Sequence, residues 1–271
     1  MSEAFTERIS GEKCPECGEF IRYGYIAAMK QEFPIACSCQ TEKQAKQREQ
    51  TIAKGKENIR NSMRVLSGLK SRQRGFFFGR ITPRAGQEKA YKAAVDFIQR
   101  YSKDRHTAGL MFCGSVGSGK TLLSAAVANA VIDMYPIEDD EAQRVGETAE
   151  HAAYYTPVRF TSSVELLEQI RALFNKNGGE ESSQVIINRL KKAPLLILDD
   201  LGAEKPSEWA NERIFEIVDH RYNESLPVIV TTNATPGELK NQIGERSFDR
   251  LREMCELVPL AAKSQRKTAG A

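Results

Sequence analysis

The sequence predicts an α/β protein built on a parallel sheet covered by helices on both faces, preceded by a small cysteine-rich unit. Short apolar segments at residues 109–113, 158–161, 195–199 and 227–232 alternate with sequences of helical character. Strands that alternate with helices in this way form parallel sheets. Four of the six cysteines fall between residues 14 and 39, in a segment too short and turn-rich to bury a core unaided.

Length and composition limit the rest. The chain has 271 residues, of which 41% are hydrophobic, enough for one good-sized core and a smaller appended unit. It contains no apolar run of membrane-spanning length, and its first ten residues lack the apolar stretch of a signal peptide. We therefore expect a cytoplasmic protein with no membrane partner. The net charge of +3 does not by itself argue for nucleic acid.

Composition shifts along the chain predict three regions. Residues 1–41 form the cysteine-rich domain. Residues 42–75 form a helical linker that lacks proline and carries a strong excess of Lys and Arg over Glu. Residues 76–271 form the α/β domain, and the aromatic segment at its start, residues 76–78, is expected to tuck onto it. The acidic stretch 136–153 has no periodicity, which indicates an exposed loop or short insertion.

The cysteine spacing predicts a structural zinc site. Cys14 and Cys17 form a Cys-x-x-Cys pair, and Cys37 and Cys39 close the set with a tighter Cys-x-Cys pair. Four thiolates suit a closed tetrahedral zinc site, and a reducing compartment disfavours disulfides. Reduced buried thiols and an iron–sulfur cluster remain alternatives.

The most specific motif lies between a predicted strand and a predicted helix. It fits the pattern G-x-x-x-x-G-K-T/S, whose glycine-rich loop surrounds nucleotide phosphates with backbone N–H groups. Lys120 is expected to reach the β- and γ-phosphates of ATP, and the Thr121 hydroxyl to bind Mg²⁺. The matching residues are Gly114, Ser115, Val116, Gly117, Ser118, Gly119, Lys120 and Thr121.

Polar residues end two further predicted strands. Asp199 follows the apolar run 195–198 and is expected to hold the Mg²⁺ shell, while Asp200 would orient or deprotonate the attacking water. Asp200 could instead cap the turn at Gly202. Asn233 follows the next strand, where its amide could hydrogen-bond the γ-phosphate or the attacking water.

In this order, and with the segments Leu198-Asp-Asp-Leu-Gly202 and Gly244-Glu-Arg246-Ser-Phe-Asp-Arg250-Leu, these motifs resemble the DnaC/DnaI-type replicative helicase loaders of the AAA+ superfamily. The resemblance spans about residues 109–266, and weakly the amino-terminal unit. It implies an AAA+ ATPase that binds a hexameric replicative helicase through its amino-terminal domain. It also implies binding of ATP and single-stranded DNA through the AAA+ domain.

The resemblance assigns roles to single residues. Asn233 resembles the sensor 1 residue, and Arg250 the arginine finger that reaches the ATP of a neighbouring subunit, with Arg246 as the nearby alternative. The protein should then self-associate into a helical or ring-like oligomer through Arg250, and isolated subunits should hydrolyse ATP slowly. Arg266 resembles the sensor 2 arginine, although a basic tail is also ordinary solvated surface.

By the same resemblance, the helical segment 161–174 lies where related ATPases contact single-stranded DNA. Candidate phosphate contacts in and after it could equally be ordinary surface charge. They are Arg171, Lys176, Arg189, Lys191 and Lys192.

Three other functions fit parts of the sequence. An IstB-type transposition helper ATPase shares the nucleotide motifs but serves a transposase on duplex DNA, and the zinc-type unit favours the loader over it. A small-molecule kinase would need an acceptor site and a lid instead of Asn233 and Arg250. A zinc nucleic-acid binder with a decayed ATP site conflicts with the complete set Lys120, Thr121, Asp199 and Asp200.

Overall fold

The structure is a computed structural model that describes residues 5–27, 30–143, 156–174 and 179–261. Two of the candidate residues, Lys176 and Arg266, and the acidic residues beyond 143 lie outside these ranges. The chain divides into two compact units. The first comprises residues 1–58 and 137–146, and the second comprises residues 59–136 and 147–271.

The strands are β1 (Phe5–Lys13), β2 (Phe20–Ile26), β3 (Gln31–Ile35), β4 (Gly109–Gly114), β5 (Val158–Ser162), β6 (Leu195–Asp199), β7 (Val228–Thr232) and β8 (Cys255–Leu260). The helices are α1 (Ser38–Leu66), α2 (Glu88–Lys103), α3 (Lys120–Asp133), α4 (Asp139–Gln143), α5 (Ser163–Phe174), α6 (Gly179–Lys192), α7 (Glu208–Asn223), α8 (Pro236–Ile243) and α9 (Glu245–Met254). Within the described residues, none of these helices has the length and apolar character needed to span a membrane.

In the first unit, β1, β2 and β3 form an antiparallel sheet in that order. The short helix α4 packs on α1, where Lys56 pairs with Asp139 at 2.7 Å. A Cβ on Gly55 would lie 2.0 Å from the carbonyl oxygen of Ala142, so this close approach requires glycine. The prediction of a loop at residues 136–153 is therefore wrong for residues 139–143. These residues form a helix that is held by the close approach of Ala142 to Gly55.

The second unit contains a five-stranded parallel sheet in the order β5-β6-β7-β4-β8. Every residue of β6 and β7 is buried, as continuous apolar strands of a parallel sheet should be. The sequence analysis did not anticipate β8, which carries exposed Glu256 and Leu257 and contains Pro259. A strand of that composition is tolerated because β8 lies at the sheet edge.

Helices cover both faces of this sheet, as predicted. Side chains alternate across each strand, so Leu196 and Leu198 of β6 face one layer while Leu195 and Ile197 face the other. The first layer is formed by α5 to α9, whose apolar side chains join those of β4, β6 and β7 in one core. On the opposite face, α3 contacts β4 to β7 and packs against α2. The α/β fold class is confirmed.

A fully buried arginine, Arg221 of α7, joins the end of α6 to the starts of β6 and β7. Its guanidinium donates hydrogen bonds to the carbonyl oxygens of Leu190 at 2.8 Å, Ala193 at 2.7 Å and Pro227 at 2.7 Å. Burial lowers the pKa of Arg221, yet guanidinium stays charged in proteins, and these carbonyl dipoles offset its lost hydration. The turn before β6 is therefore held in one place.

Candidate nucleotide site and cysteine cluster

The phosphate loop connects the carboxyl end of β4 to the first turn of α3. Gly117 and Gly119 have φ angles of 81° and 106°, a left-handed conformation that glycine adopts without strain. Gln87, just before α2, braces the loop by donating from its side-chain amide to the Ser118 carbonyl at 2.6 Å. The Ser118 hydroxyl is buried and finds no hydrogen-bond partner among the described residues. A buried orphan hydroxyl inside this loop fits a ligand with acceptor oxygens.

Lys120 lies under the loop and reaches the neighbouring strand. Its ammonium donates to the carbonyls of Gly114 at 2.8 Å and Ser115 at 2.9 Å, and to Asn233 Oδ1 at 2.7 Å. Burial lowers the pKa of Lys120, while the charges of Asp200 and Asp199 oppose that shift. The structure thus brings two of the predicted residues, Lys120 and Asn233, into direct contact at the phosphate loop.

The Asp199 carboxylate is buried at the end of β6. The Thr121 hydroxyl donates to its two oxygens at 3.0 and 3.1 Å, and the Thr231 hydroxyl donates to Oδ1 at 2.7 Å. Burial raises the pKa of the Asp199 carboxyl, and the hydrogen bond from Thr231 opposes it. A buried carboxylate beside a hydroxyl at the phosphate loop has the donor set that Mg²⁺ prefers. The residues present therefore fit a magnesium ion held by Thr121 and Asp199.

Asp200 adopts a left-handed conformation with a φ of 53°, which few residues other than glycine, asparagine and aspartate adopt. Its backbone N–H donates to the Thr231 hydroxyl at 2.8 Å, and its carboxylate accepts from Asn233 Nδ2 at 3.2 Å. The carboxylate is thereby turned toward Asn233 and the phosphate loop. A simple cap of the turn at Gly202, the alternative for Asp200, would not require this contact.

Three residues of this region were not assigned from the sequence. Thr231 ties Asp199 to Asp200, Gln87 braces the loop, and the Glu204 carboxylate accepts hydrogen bonds from the Ser163 hydroxyl and from the Gly202 backbone at 3.1 Å. Two consecutive threonines precede Asn233 in the sequence, which was a visible signal for Thr231. Gln87 has no local signal, since its partner Ser118 lies 31 residues away, and the contact of Glu204 with Ser163 spans 41 residues.

A cavity of about 440 Å³ opens beside the phosphate loop. Its wall includes residues of the aromatic segment that precedes α2, together with Leu122 of α3. Asn129 of α3 anchors that segment by donating to the carbonyls of Gln73 at 2.9 Å and Phe76 at 2.8 Å, which confirms that the segment tucks onto the α/β domain. The lining residues are Gly75, Phe76, Phe77, Arg80, Ile81, Thr82, Arg84, Gln87 and Leu122.

Both candidate arginine fingers lie on α9 and contact α7. Arg250 donates from Nε to Asp219 Oδ1 at 3.0 Å, and its guanidinium lies 4.4 Å from the ring centre of Tyr222. Arg246 lies 4.7 Å from the ring centre of Phe215. The structure therefore places neither arginine among the hydrogen bonds that join Lys120, Asp199 and Asn233.

The candidate DNA-contacting arginine of α5, Arg171, stacks over the indole ring of Trp209 at 4.7 Å. Arg189 and Lys192 are exposed on α6, whereas Lys191 of the same helix pairs with Glu216 at 3.1 Å. The three basic candidates on α6 therefore lie on two sides of that helix.

In the first unit the four cysteines converge. Their sulfur atoms all lie within 4.8 Å of one another, with separations of 3.2 Å for Cys37–Cys39 and 3.5 Å for Cys14–Cys37. Zn–S bonds of about 2.3 Å place tetrahedral sulfurs about 3.8 Å apart, so the cluster fits zinc. Backbone N–H groups of Cys17 and Glu16 hold the pKa of the Cys14 thiol down to about 7, which favours the thiolate that a metal requires.

Comparison with known proteins agrees with this geometry. The family model described as IstB-like ATP binding protein matches residues 146–270. The replicative helicase loader DnaI of Bacillus subtilis is 26% identical over 174 residues, covering 62% of this chain and 48% of DnaI. The loader DnaC of Escherichia coli K12 is 25% identical over 167 residues, covering 62% of this chain and 58% of DnaC. This chain is a relative of the DnaC/DnaI-type helicase loaders.

A crystal structure of the DnaC helicase loader superimposes with a TM-score of 0.54 at 25% identity, covering 70% of this chain and 99% of that one. The α/β unit is thus similar in fold and sequence to the DnaC loader and to IstB-like ATP binding proteins, as the motifs predicted. The match extends over only about half the length of the curated relatives. The functions and partners of DnaI and DnaC as whole proteins are therefore proposals for this chain.

We predict that the protein, purified without chelator, contains about one zinc per chain, measured by atomic emission spectroscopy, because four thiolates complete a tetrahedral shell. Cys14→Ser should lose most of the metal, whereas Cys113→Ser, a cysteine outside the cluster, should keep it. Equal zinc content in the two variants would contradict the assignment. Iron in the protein together with visible absorbance would instead identify an iron–sulfur cluster.

Proposed function

We propose that this protein is an ATP-dependent loader of a hexameric replicative helicase. Its amino-terminal domain, residues 1–41, grips the helicase, and its AAA+ domain binds ATP and single-stranded DNA. The observation that carries the proposal is a phosphate loop whose Lys120 and Thr121 already contact Asn233 and Asp199, in a chain related to DnaC and DnaI. Nucleotide state then controls an assembly rather than a metabolic reaction.

ATP binding follows from the loop and the cavity beside it. Loop N–H groups, the start of α3 and Lys120 receive the phosphates, since a helix amino terminus and an ammonium both favour negative charge. The cavity walled by Phe76, Phe77 and Leu122 is large enough for the base and ribose and offers aromatic and apolar surface to them. Lys120 would exchange its two carbonyl contacts for phosphate oxygens.

Hydrolysis would use the carboxylate of Asp200. Mg²⁺, held by Thr121 and Asp199, supplies charge neutralisation on the phosphate oxygens. Asp200 accepts the proton of the attacking water or orients it, and the contact with Asn233 keeps the carboxylate aimed at the loop. Aspartate is one carbon shorter than glutamate, the residue often found in this role, so we expect slow hydrolysis.

Asp200→Asn should lower ATP hydrolysis at least about 100-fold, because general-base catalysis typically supplies that factor or more. ATP affinity should change little, since the Asp200 carboxylate is hydrogen-bonded to Asn233 and Mg²⁺ would be held by Thr121 and Asp199. Phosphate release and binding of a fluorescent ATP analogue measure the two effects. Asp199→Asn is the comparison, and it should weaken Mg²⁺-dependent binding itself. Unchanged phosphate release by the Asp200 variant would leave that residue as a turn cap.

Self-association would complete the site. An arginine finger acts on the ATP of a neighbouring subunit, and Arg250 has the constant charge this requires. In the single chain Arg250 is engaged by Asp219 and Tyr222, with its side chain about a third exposed. Reaching a neighbour's phosphate would mean exchanging the Asp219 carboxylate for phosphate oxygens, which is an exchange between two anions.

Arg250→Ala should therefore remove the rise of specific ATPase activity with protein concentration while sparing nucleotide binding. Arginine fingers contribute about 1000-fold or more in other nucleotide hydrolases. Arg246→Ala is the matched control, because that arginine also stacks on a ring of α7 from the same helix. Loss of activity in the Arg246 variant alone would move the finger to that residue, and normal turnover in both would rule out α9 as its source.

The second candidate function is that of a transposition helper, which the family match to IstB-like ATP binding protein supports. A pull-down of the intact protein against the host's hexameric replicative helicase and against its transposase, with ATP and with ADP, separates the two. We expect capture of the helicase that disappears when residues 1–40 are deleted, with the four Cys→Ser changes as a full-length control. Capture of the transposase alone would establish the helper function instead.

The sensor 2 role of Arg266 falls outside the described residues and stays a prediction. The single-stranded DNA contact near Arg171 also stays one. The stacking of Arg171 on Trp209 joins α5 to the start of α7.

A further inference from the structure

A second cavity, of about 360 Å³, lies at the end of the sheet opposite to the phosphate loop. The loop follows the carboxyl end of β4, whereas this cavity is bounded by residues that precede β5 and β6, and all three strands are parallel. It is therefore separate from the nucleotide site. The lining residues are Thr156, Arg159, Val185, Asn188, Arg189, Lys192, Ala193 and Pro194.

Among the described residues, the charged side chains that line this cavity are all cationic. Arg159, Arg189 and Lys192 contribute cations, and among the described residues its lining includes no Asp or Glu. Neither an ion pair nor a hydrogen bond is found for Arg189 or Lys192 within the described part of the chain. The carboxylate of Glu216 is engaged elsewhere, since it accepts hydrogen bonds from Lys191, Gln184 and Arg213.

The walls of the cavity are built by the fold. Val185, Asn188, Arg189 and Lys192 follow the spacing of one helical face, so α6 presents them together. Arg159 of β5 is fixed from behind because it donates to the Leu66 carbonyl at 2.5 Å. Arg221 holds the last turn of α6 and the Ala193 carbonyl from the interior. Arg159 is therefore fixed, and the exposed side chains of Arg189 and Lys192 border the same space.

Like charges held together in this way are unfavourable without a ligand. Burial, and then the positive charge of Arg189, lowers the pKa of Arg159. An anion in the cavity would relieve that repulsion and would accept hydrogen bonds from guanidinium groups, whose geometry suits phosphate.

We infer that this cavity binds a backbone phosphate of single-stranded nucleic acid, with Arg189 and Lys192 as the phosphate contacts. The site is concave, so a flexible strand can place one phosphate inside it, whereas a rigid duplex presents its phosphates on a convex surface. Exposed Val185 offers apolar surface to the adjoining sugar, and the Asn188 amide offers hydrogen bonds. The inference rests on the proposed function only for the choice of nucleic acid as the source of phosphate.

The test compares two neighbouring lysines of α6. Lys192→Gln removes a cavity cation, and Lys191→Gln makes the same charge change on the side of the helix that faces Glu216. Arg189→Gln is the second cavity variant. Binding of a fluorescently labelled oligothymidine to the full chain is followed by anisotropy over a series of salt concentrations, with and without ATP. Thermal unfolding confirms that each variant is folded.

We expect Lys192→Gln and Arg189→Gln each to lower the salt-dependence slope by about 0.7, the value for one phosphate contact on a single strand. At a salt concentration of about 0.1 M this corresponds to about fivefold weaker binding. Lys191→Gln should leave both quantities unchanged. ATP affinity should be normal in all three variants, because the phosphate loop lies at the opposite end of the sheet.

Three results would overturn the inference. Equal weakening by Lys191→Gln and Lys192→Gln would show a general charge effect. Unchanged oligothymidine binding by both cavity variants would exclude the site. Loss of pyrophosphate binding, measured by calorimetry with the phosphate loop blocked by an ATP analogue, without loss of oligothymidine binding would show a small-anion site. Helicase capture tests the proposed function separately, and its failure would leave these DNA measurements interpretable.

Discussion

The buried carboxylate of Asp199 organises the nucleotide site. It accepts hydroxyl hydrogen bonds from Thr121 of α3 and Thr231 of β7, so one anionic group at the end of β6 ties these three elements together. Burial makes that charge costly, and its raised pKa reflects the cost. Each hydroxyl that stabilises the carboxylate also fixes the position of an element, which makes the relative placement of α3, β6 and β7 part of the electrostatics of the site.

The same constraint extends through Asp200. Because Thr231 accepts from the Asp200 N–H while donating to Asp199, the two acidic residues are held by one side chain. The Asp200 carbonyl in turn accepts from the Ser163 hydroxyl at 3.0 Å, at the first residue of α5. A shift of Asp200 toward a bound nucleotide would therefore act on α5 as well as on the site. Chemistry at the phosphate loop and the orientation of that helix share one set of hydrogen bonds.

Much of this could be predicted from local sequence. The loop 114–121 and the strand that ends at Asp199 were recognisable because a phosphate loop and a buried parallel strand each impose a continuous pattern on a few neighbouring residues. The placement of Asn233 near Asp199 followed from the rule that ligands bind at the carboxyl ends of parallel strands. The elements that could not be predicted depend on contacts between residues far apart in the sequence. β8 is an edge strand with a mixed pattern, and α4 depends on an approach to Gly55 that nothing in residues 139–143 signals.

The environment of the basic residues of α6 likewise depends on the fold and not on the local sequence. Arg189, Lys191 and Lys192 form one basic run in the sequence, and as a run they are indistinguishable from ordinary solvated charge. Folding separates them, because α6 turns Lys191 toward Glu216 and leaves the other two beside Arg159. At the carboxyl ends of the strands, Lys120 lies near the carboxylates of Asp199 and Asp200. At the opposite ends, Arg159 and Arg189 lie near each other. Arg189 and Lys192, for which the described part of the chain provides no ion pair, favour an external anion, and a net charge of +3 could not reveal them.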